Sequence, residues 1–333
     1  MLFYLAKPTH GGWVSFSAHL ALVTGAPFIY KIGSRVEGKA RAFGWSVNYT
    51  NVSVDYFAQM KNITILCLEK SHYNLLPVIA QKIKAGHKIN LITHDTVEFK
   101  KEALDFIKEY NDKINLISIR PTIRDYLEDK YGIHSKYIAH PFYPYERTKR
   151  EPNQQSIAIS RVDFDKHTDV IIEANYKLEK EERIKIIGKI NNVYEWQKLN
   201  KVVKPEHSPF HSKYPEYMGV MKLDFDFLDG VLAGRKFMVD LSAIHDDGGG
   251  TQYTFLEAMY NKIPLVLNGK WSTGQDSDKF KDGYNCWMVN DSNELARLIK
   301  ISPISGSLVE NNKKLIELHT SPALFTEWNK ALA

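Results

Sequence analysis

The sequence predicts an α/β protein of two domains, each a mostly parallel β-sheet covered by helices. Short apolar runs alternate with longer helical patterns along most of the chain, which is typical of βα units. The chain has 333 residues, more than the roughly 250 to 300 at which a single hydrophobic core stops growing. A composition of 44% hydrophobic and 25% charged residues excludes a disordered or disulfide-stapled chain.

The first domain begins with an apolar run and continues as strands separated by amphipathic helices. The predicted strands are Leu2–Ala6, Ile63–Leu68, Ile89–Thr93, Ile114–Ile119 and Tyr137–Ala139. Apolar residues recur every three or four positions in the helical windows Tyr73–Ala85, Phe99–Tyr110 and Ile123–Lys130. The segment Ile32–Val54 fits either an acceptor loop or a hairpin, and its residues leave both open.

A proline-rich, charged segment, His140–Pro152, has the composition of a linker between compact units. We therefore predict an N-terminal domain over 1–148, a second domain over 149–310, and a C-terminal helix over 311–333 that packs back toward the first domain. In the second domain the predicted strands are Ile157–Ser160, Ile184–Ile187, Phe237–Leu241 and Leu265–Leu267. The predicted helices are Thr168–Leu178, Asp224–Leu232 and Thr251–Tyr260.

Cysteine usage and hydropathy indicate the compartment. Cys67 and Cys286 are far apart and lie in apolar runs, as buried free thiols of a reducing compartment do. The first residues lack a basic leader, and no 18-residue apolar stretch occurs, so we expect a cytoplasmic protein without stable membrane insertion. The formal net charge of +5 is compatible with a polyanionic partner, a phosphate-bearing substrate or an ordinary basic surface.

Glycines follow the first predicted strand and precede a helix in the second domain. Gly11 and Gly12 open the helical pattern after Leu2–Ala6, where backbone N–H groups can approach an anion or simply form a tight turn. In the second domain, Gly249, Gly250 and Thr251 precede a helix that carries Glu257. Consecutive glycines are poor core residues, so this segment favours a ligand site, with Glu257 placed to bind sugar or ribose hydroxyls.

Two cations follow the first strand of the second domain. Arg161 stands at the predicted strand end, and Lys166 comes five residues later, before a helix. An Arg and a Lys in this arrangement can neutralise a diphosphate, although a solvated pair is the simpler alternative.

A histidine and an aspartate follow the strand Ile89–Thr93. Parallel sheets bind ligands at such strand ends, so His94 or Asp95 is a candidate for proton transfer or substrate orientation. A turn capped by Asp95 is the competing interpretation. The remaining histidines show no metal-ligand spacing, and we predict no metal site.

Together these segments resemble the retaining glycosyltransferases of the GT-B fold, family 4 and its relatives. The resemblance rests on ISRVDFDKHT, on IKIIGK and on DDGGGTQYTFLEAMYNKIPLVL, in that order. It implies two Rossmann-like domains facing each other across a cleft, a UDP-sugar or related donor such as UDP-glucose, and metal-independent transfer without a cofactor. Arg161 and Lys166 would contact the diphosphate. The further donor contacts would be Gly11, Gly12, Gly188, Gly249, Gly250, Thr251 and Glu257. One departure is Gly249, where the family usually has Glu.

A narrower resemblance is to the DNA alpha-glucosyltransferases of T-even bacteriophages. It rests on TQYTFLE, on KWSTGQ and on Thr93–Thr96. It implies a hydroxymethylated pyrimidine in double-stranded phage DNA as acceptor, with His94 or Asp95 near the acceptor hydroxyl. Candidate acceptor contacts are Arg120, Arg124, Ser272, Thr273 and Gly274, and further basic candidates for DNA are Arg147, Lys149 and Arg150.

Two other functions remain open at this point. A transferase that builds lipopolysaccharide, capsule or another glycan would carry the same donor residues. A non-catalytic nucleotide-binding protein would keep the fold, and Gly249 in place of the usual Glu is the feature that keeps this alternative open. The sequence does not indicate an oligomeric state.

Overall fold

The computed structural model describes residues 1–6, 12–32, 41–42, 47–96, 98–147, 153, 155–221, 225–243, 251–272, 279–301 and 306–333. The chain forms two compact units. The N-terminal unit comprises Met1–Tyr145 and Leu318–Ala333, and the C-terminal unit comprises Glu146–Glu317. The predicted boundaries were 148 and 310. The observed boundaries differ from these because Arg147 already hydrogen-bonds to Tyr260 of the C-terminal unit, and because one helix runs without a break through residue 310.

The N-terminal unit contains one eight-stranded sheet in the order β3-β4-β2-β1-β5-β6-β7-β8. Its strands are β1 Leu2–Leu5, β2 Phe28–Ile32, β3 Arg41–Ala42, β4 Asn48–Val52, β5 Ile63–Leu68, β6 Ile89–Thr93, β7 Asn115–Ser118 and β8 Lys136–Tyr137. All neighbours are parallel except β3 and β4, which pair antiparallel at the edge. This part of the segment Ile32–Val54 therefore pairs as a hairpin does.

Helices of the N-terminal unit connect these strands and pack on the sheet. They are α1 Gly12–Thr24, α2 Val54–Gln59, α3 Leu76–Lys84, α4 Lys101–Tyr110 and α5 Pro121–Tyr131, with short 3-10 turns over Lys70–Leu75 and Asn111–Lys113. Sequence signals fix their ends. The Ser53 hydroxyl accepts from the N–H of Tyr56 to begin α2, and Gly132, with a φ of 63°, ends α5 in the left-handed conformation.

The C-terminal unit contains a five-stranded parallel sheet in the order β10-β9-β11-β12-β13. Its strands are β9 Ile157–Ile159, β10 Lys185–Ile187, β11 Met238–Asp240, β12 Leu265–Asn268 and β13 Cys286–Val289. Glu216 and Met218 extend the sheet beyond β10, because their backbones hydrogen-bond to Ile186.

The helices of the C-terminal unit lie between these strands and after them. They are α6 Thr168–Asn175, α7 Asn192–Tyr194, α8 Asn200–Val202, α9 Phe210–Lys213, α10 Phe225–Leu232, α11 Tyr253–Tyr260 and α12 Ser292–Ile301. A π-helical turn, Glu195–Leu199, joins α7 to α8, and 3-10 turns occur at Phe164–Lys166, Pro205–His207 and Gly269–Ser272. Helix α13, Gly306–Thr320, leads out of this unit, and α14, Pro322–Leu332, belongs to the N-terminal unit.

Helix α14 completes the core of the N-terminal unit. Trp328 is fully buried, its indole N–H donates to the carbonyl of Ala139 over 2.9 Å, and its ring lies 5.7 Å from that of Phe16 on α1. The backbone carbonyls of Ala331 and Leu332 also accept hydrogen bonds, from Asn115 and Asn90. The last helix is thus held by both apolar packing and specific polar contacts.

Each sheet has one switch point, at which strands that come later in the chain lie on the opposite side of the first strand. In the N-terminal unit this occurs between β1 and β5, and in the C-terminal unit between β9 and β11. At such a switch point the connections leave in opposite directions and open a crevice beyond the carboxyl ends of the strands, where α/β proteins bind ligands.

Candidate functional site

Arg161 lies at the switch point of the C-terminal sheet. It follows β9 after Ser160, and 57% of its side chain is exposed. Its guanidinium contacts two carboxylates, with one nitrogen 3.0 Å from Asp163 Oδ2 and another 3.1 Å from Asp165 Oδ2. The two aspartates hold the planar group at the carboxyl edge of the sheet, so an anion that binds there would compete with them for the guanidinium.

Lys166 reaches the same edge from the short 3-10 turn after Arg161. Its Nζ donates to Ser242 Oγ over 2.7 Å and lies 3.6 Å from Asp165 Oδ2. Asp165 therefore contacts both cations, and the structure brings Arg161 and Lys166 to the same edge of the sheet. Its carbonyl also accepts the N–H of Ala243 over 2.7 Å, so the turn is tied to the end of β11.

Asp240 and Ser242 are polar residues of this edge that the sequence analysis missed. Ser242 donates to Asp240 Oδ1 from its hydroxyl and, over 2.9 Å, from its backbone N–H. Both side chains are buried. The available signal was the charged residue itself, because an aspartate inside the apolar strand Phe237–Leu241 is unusual unless it has polar partners.

Helix α11 is joined to this group through its first turn. Thr254 Oγ1 donates to Asp240 Oδ2 over 3.4 Å. Thr251, just before the helix, and Glu257, one turn into it, are both buried. Gly249 and Gly250 lie outside the described residues. The contact places the helix that carries Glu257 beside the end of β11, and hence beside Lys166.

Gly188 has a steric role in the structure. It follows β10, and a Cβ atom at this position would lie 1.6 Å from the carbonyl oxygen of Ser160 on the adjacent strand end. Its N–H donates to Gly219 and its carbonyl accepts from the Tyr217 hydroxyl. The glycine is required for the close approach of two strand ends, whatever contact it makes with a donor.

Ser272 closes the 3-10 turn that follows β12. Its hydroxyl donates to the carbonyl of Gly269 over 2.8 Å, and its side chain is exposed. The neighbouring Trp271 is buried and donates its indole N–H to the carbonyl of Ser242 over 3.3 Å. Ser272 thus lies near the end of β11 in this unit. Thr273 and Gly274 lie outside the described residues.

His94 lies buried at the carboxyl end of β6 in the N-terminal unit, with its ring centre 4.7 Å from that of Phe16 and the two rings nearly perpendicular. Its Nε2 is 2.7 Å from the carbonyl of Leu66. A carbonyl only accepts, so Nε2 carries the proton and donates. Burial lowers the pKa of His94 to about 4, against the opposing effect of this hydrogen bond, and the charge of Arg120 lowers it further. The imidazole is neutral at pH 7 and a weak base.

Glu98 is a second residue that the sequence analysis missed. Its Oε2 accepts the backbone N–H of His94 over 2.6 Å and the hydroxyl of Thr93 over 3.3 Å. Burial raises the pKa of Glu98 to about 8, and the nearby charge of Asp95 adds to the effect. Asp95 itself is partly exposed, so it is the accessible carboxylate at this strand end.

The other predicted residues of this unit lie near the same edge or on the surface. Arg120 follows β7, and the N–H of Ile119 beside it donates to the carbonyl of Thr93. Arg124 is exposed on α5 and paired with Asp125 at 2.8 Å. Gly12 is the first residue of α1, and a Cβ atom there would meet no atom of the described residues outside its own helix within 4 Å. Gly11 lies outside the described residues.

One basic candidate for DNA contact has a structural partner instead. Arg147 donates to the carbonyl of Tyr260, the last residue of α11, and its guanidinium lies 4.9 Å from the centre of the Tyr260 ring. These contacts cap the helix and hold the linker. Lys149 and Arg150 lie outside the described residues.

Among the residues that the structure describes, no group of three His, Cys, Asp or Glu side chains is arranged to hold a metal ion. Within the same ranges, every helix is too short or too polar to cross a membrane.

Comparison of sequences finds no relative of this chain, whereas comparison of structures finds several similar proteins. No protein-family model matches the chain, and no curated protein matches it. HepE of Anabaena, solved with UDP and glucose, superposes with a TM-score of 0.69 at 13% identity over 99% of this chain and 97% of its own.

Two further structures show the same architecture. An alpha-glucosyltransferase, solved with UDP and a 13-mer DNA containing an HMU base, has a TM-score of 0.64 at 11% identity over 99% of this chain and 98% of its own. TarM of S. aureus, solved with Fondaparinux, alpha-GlcNAc-glycerol and UDP, has a TM-score of 0.59 at 17% identity over 81% of this chain and 55% of its own. With its two α/β units and mostly parallel sheets, the chain has the GT-B fold of these glycosyltransferases.

Proposed function

We propose that this protein is a glycosyltransferase that moves a sugar from a nucleoside-diphosphate sugar, with UDP-glucose or another UDP-sugar favoured, to a hydroxyl group. The observation that carries the proposal is the pair Arg161 and Lys166 at the switch point of the C-terminal sheet, beside the helix of buried Glu257. HepE, the alpha-glucosyltransferase and TarM were all solved with UDP, which supports this choice of nucleotide.

The donor contacts follow from the chemistry of these groups. Arg161 offers a planar fork and Lys166 a point charge, which together neutralise a diphosphate and stabilise the negative charge that grows on it as the glycosidic bond breaks. Glu257 is placed to accept hydrogen bonds from ribose hydroxyls. Thr251 adds a backbone N–H before α11, where the helix terminus favours an anion.

The acceptor hydroxyl must lose a proton during transfer. Asp95 is the better candidate for receiving it, because His94 has a pKa of about 4 and uses its Nε2 proton to bind Leu66. His94 then orients substrate, and Glu98 holds the backbone of this turn. By its resemblance to family 4, the chain transfers with retention of anomeric configuration.

We propose a hydroxymethylated pyrimidine in double-stranded phage DNA as the acceptor. The net charge of +5 supports a polyanionic partner. Arg120 lies near His94, close enough for its charge to affect that imidazole. The structural likeness to an alpha-glucosyltransferase solved with DNA containing an HMU base adds to the motif resemblance.

A release assay tests donor and acceptor together. Purified protein is incubated with UDP-, GDP- or ADP-sugars and with duplex DNA containing hydroxymethylcytosine, hydroxymethyluracil or no modified base. We expect UDP release that only hydroxymethylated duplexes stimulate. UDP release that DNA does not change would indicate a glycan acceptor, the alternative that the likeness to HepE and TarM supports. No nucleotide release with any donor would contradict the proposed enzymatic activity.

The donor residues are tested by substitution. Arg161→Ala or Lys166→Ala should lower kcat/KM by about a hundred-fold, as loss of one preorganised charge contact does, with the circular dichroism spectrum unchanged. Glu257→Gln should weaken UDP binding in calorimetry. Lys201→Ala, an exposed cation of the same unit, is the matched control and should leave both measurements unchanged. Full activity of Arg161→Ala would remove the diphosphate assignment.

A further inference from the structure

Asp240 and Ser242 form a buried polar link next to Lys166. Their relative exposures are 2% and 1%. Asp240 is the last residue of β11, and Ser242 follows two residues later, at the carboxyl edge of the C-terminal sheet. Burying a carboxylate costs free energy unless hydrogen bonds replace those it made with water. The strand propensity of this segment therefore does not explain why Asp240 occupies this position.

The hydrogen bonds of this link run in one direction. An ammonium group only donates and a carboxylate only accepts. Lys166 Nζ donates to Ser242 Oγ over 2.7 Å, so the hydroxyl must direct its own proton to Asp240 Oδ1. Asp240 Oδ2 accepts in turn from Thr254 Oγ1 over 3.4 Å. The serine hydroxyl is therefore fixed at both of its ends.

The link restrains a side chain that otherwise has many rotamers. A lysine has four rotatable bonds and loses much conformational entropy when a ligand orders it. Restraint before binding removes that cost from the binding step. Because Asp240 belongs to β11 and Thr254 to α11, the link also fixes Lys166 relative to the helix that carries Glu257.

We infer that Asp240 is a positioning residue, whose charge acts through Ser242 to hold the Lys166 ammonium for the diphosphate of the donor. The inference rests on the proposed function. The competing role is local, because Asp240 also accepts the backbone N–H two residues later and thereby shapes the turn. An asparagine oxygen serves that local role equally well, which makes Asp240→Asn the discriminating change.

Calorimetry with UDP and UMP separates the two roles. Asp240→Asn should raise the Kd for UDP by about ten-fold, the effect of weakening one charge-assisted hydrogen bond, and leave the Kd for UMP nearly unchanged. Ser242→Ala should do the same. The controls are Asp291→Asn, which alters a carboxylate that accepts the N–H of Asn293 over 2.7 Å, and Ser156→Ala, a buried serine beside the amino end of β9.

A double-mutant cycle completes the test. In a Lys166→Ala background, Asp240→Asn should cause no further loss of UDP affinity, because the lysine through which it acts is gone. An Asp240→Asn effect that is equal for UDP and UMP, or fully additive with Lys166→Ala, overturns the inference. If Asp240→Asn does not fold, Ser242→Ala decides in its place. Failure of the wild-type protein to bind UDP would contradict the proposed function instead.

Discussion

Glu98 and His94 show how burial sets the ionisation of two neighbouring residues in opposite directions. The pKa of Glu98 is raised to about 8 and that of His94 is lowered to about 4, so burial keeps each side chain uncharged over a wider pH range. The two residues share a backbone hydrogen bond at the end of β6. Burial therefore keeps Glu98 uncharged in spite of this hydrogen bond, because an N–H donor favours the ionised carboxylate.

The pH dependence of stability follows from these two pKa values. The stabilising contribution of Glu98 is complete below its ordinary pKa of about 4.5 and is lost as the pH rises through 8. That of His94 is complete above its ordinary pKa of 6.5 and is lost as the pH falls through 4. Between pH 6.5 and 9 only Glu98 of this pair changes charge.

We expect Glu98→Gln to be more stable relative to wild type at pH 9 than at pH 6.5. The difference should grow by on the order of 1 kcal/mol, or about 3 °C in Tm, because the amide keeps an acceptor oxygen but cannot ionise. Differential scanning calorimetry across this range measures it. Glu109→Gln, an exposed acid on α4, serves as control. Parallel Tm profiles for Glu98→Gln and wild type would show that Glu98 is already ionised at pH 6.5 in the folded protein, and hence that its pKa is not raised to about 8.

Strands β9 and β10 illustrate a constraint at the scale of elements. Gly188 allows the end of β10 to lie against the carbonyl of Ser160, next to Arg161. The backbone of the strand ends, and not a side chain, therefore shapes the edge where the donor is proposed to bind. From the family resemblance we predicted that Gly188 contacts the donor. Its close approach to Ser160 adds a structural role, which the spacing of residues in the sequence does not reveal.

Gly188→Ala should destabilise the C-terminal unit by about 2 kcal/mol or more, since the backbone must move to accommodate the added methyl group. Thermal unfolding followed by circular dichroism would show the fall in Tm. Gly230→Ala is the matched control, because its Cβ would lie more than 4 Å from every described residue outside its own helix and alanine is the better helix former in α10. Equal Tm values for Gly188→Ala and wild type would show that the strand ends can separate freely.

Elements with strong local patterns were predictable, and those without them were not. The strands Ile63–Leu68 and Ile89–Thr93 match β5 and β6 in both bounds, because continuous apolar runs mark buried parallel strands. Strand β2 was missed, since Lys31 interrupts its apolar run, and β13 was noticed only as the surroundings of Cys286. The final helical pattern is two helices, because Ser321 begins a new one before Pro322.

At the scale of the whole molecule, the alternation of strands and helices was sufficient to predict two α/β units. The order of strands within each sheet was not predictable, because it depends on which strands pair across long sequence distances. That order places Lys166 beside Ser242 and, through Ser242, next to Asp240, residues far away in the chain. Glu98 was not predicted as a functional residue for a similar reason, because its raised pKa depends mainly on burial, which the sequence alone does not show.

The net positive charge of the protein leads to a prediction about how salt affects its affinity for DNA. If duplex DNA is the acceptor, its binding releases counterions, and three phosphate contacts would weaken the affinity by roughly forty-fold between 50 and 200 mM salt. Fluorescence anisotropy with labelled hydroxymethylated duplex measures this slope. Binding of UDP in the same buffers is the control and should change much less. A salt-independent affinity for the duplex would speak against phosphate contacts and in favour of an uncharged glycan acceptor.

The position of α14 also has a consequence for the order in which the protein matures during synthesis. Trp328 fills the core of the N-terminal unit, yet the whole of the C-terminal unit precedes it in the chain. At ribosomal rates of roughly 5 to 20 residues per second, the first unit waits on the order of ten seconds for its last helix. Throughout that interval Phe16 on α1 and the carbonyl of Ala139 lack the contacts that Trp328 gives them in the finished protein.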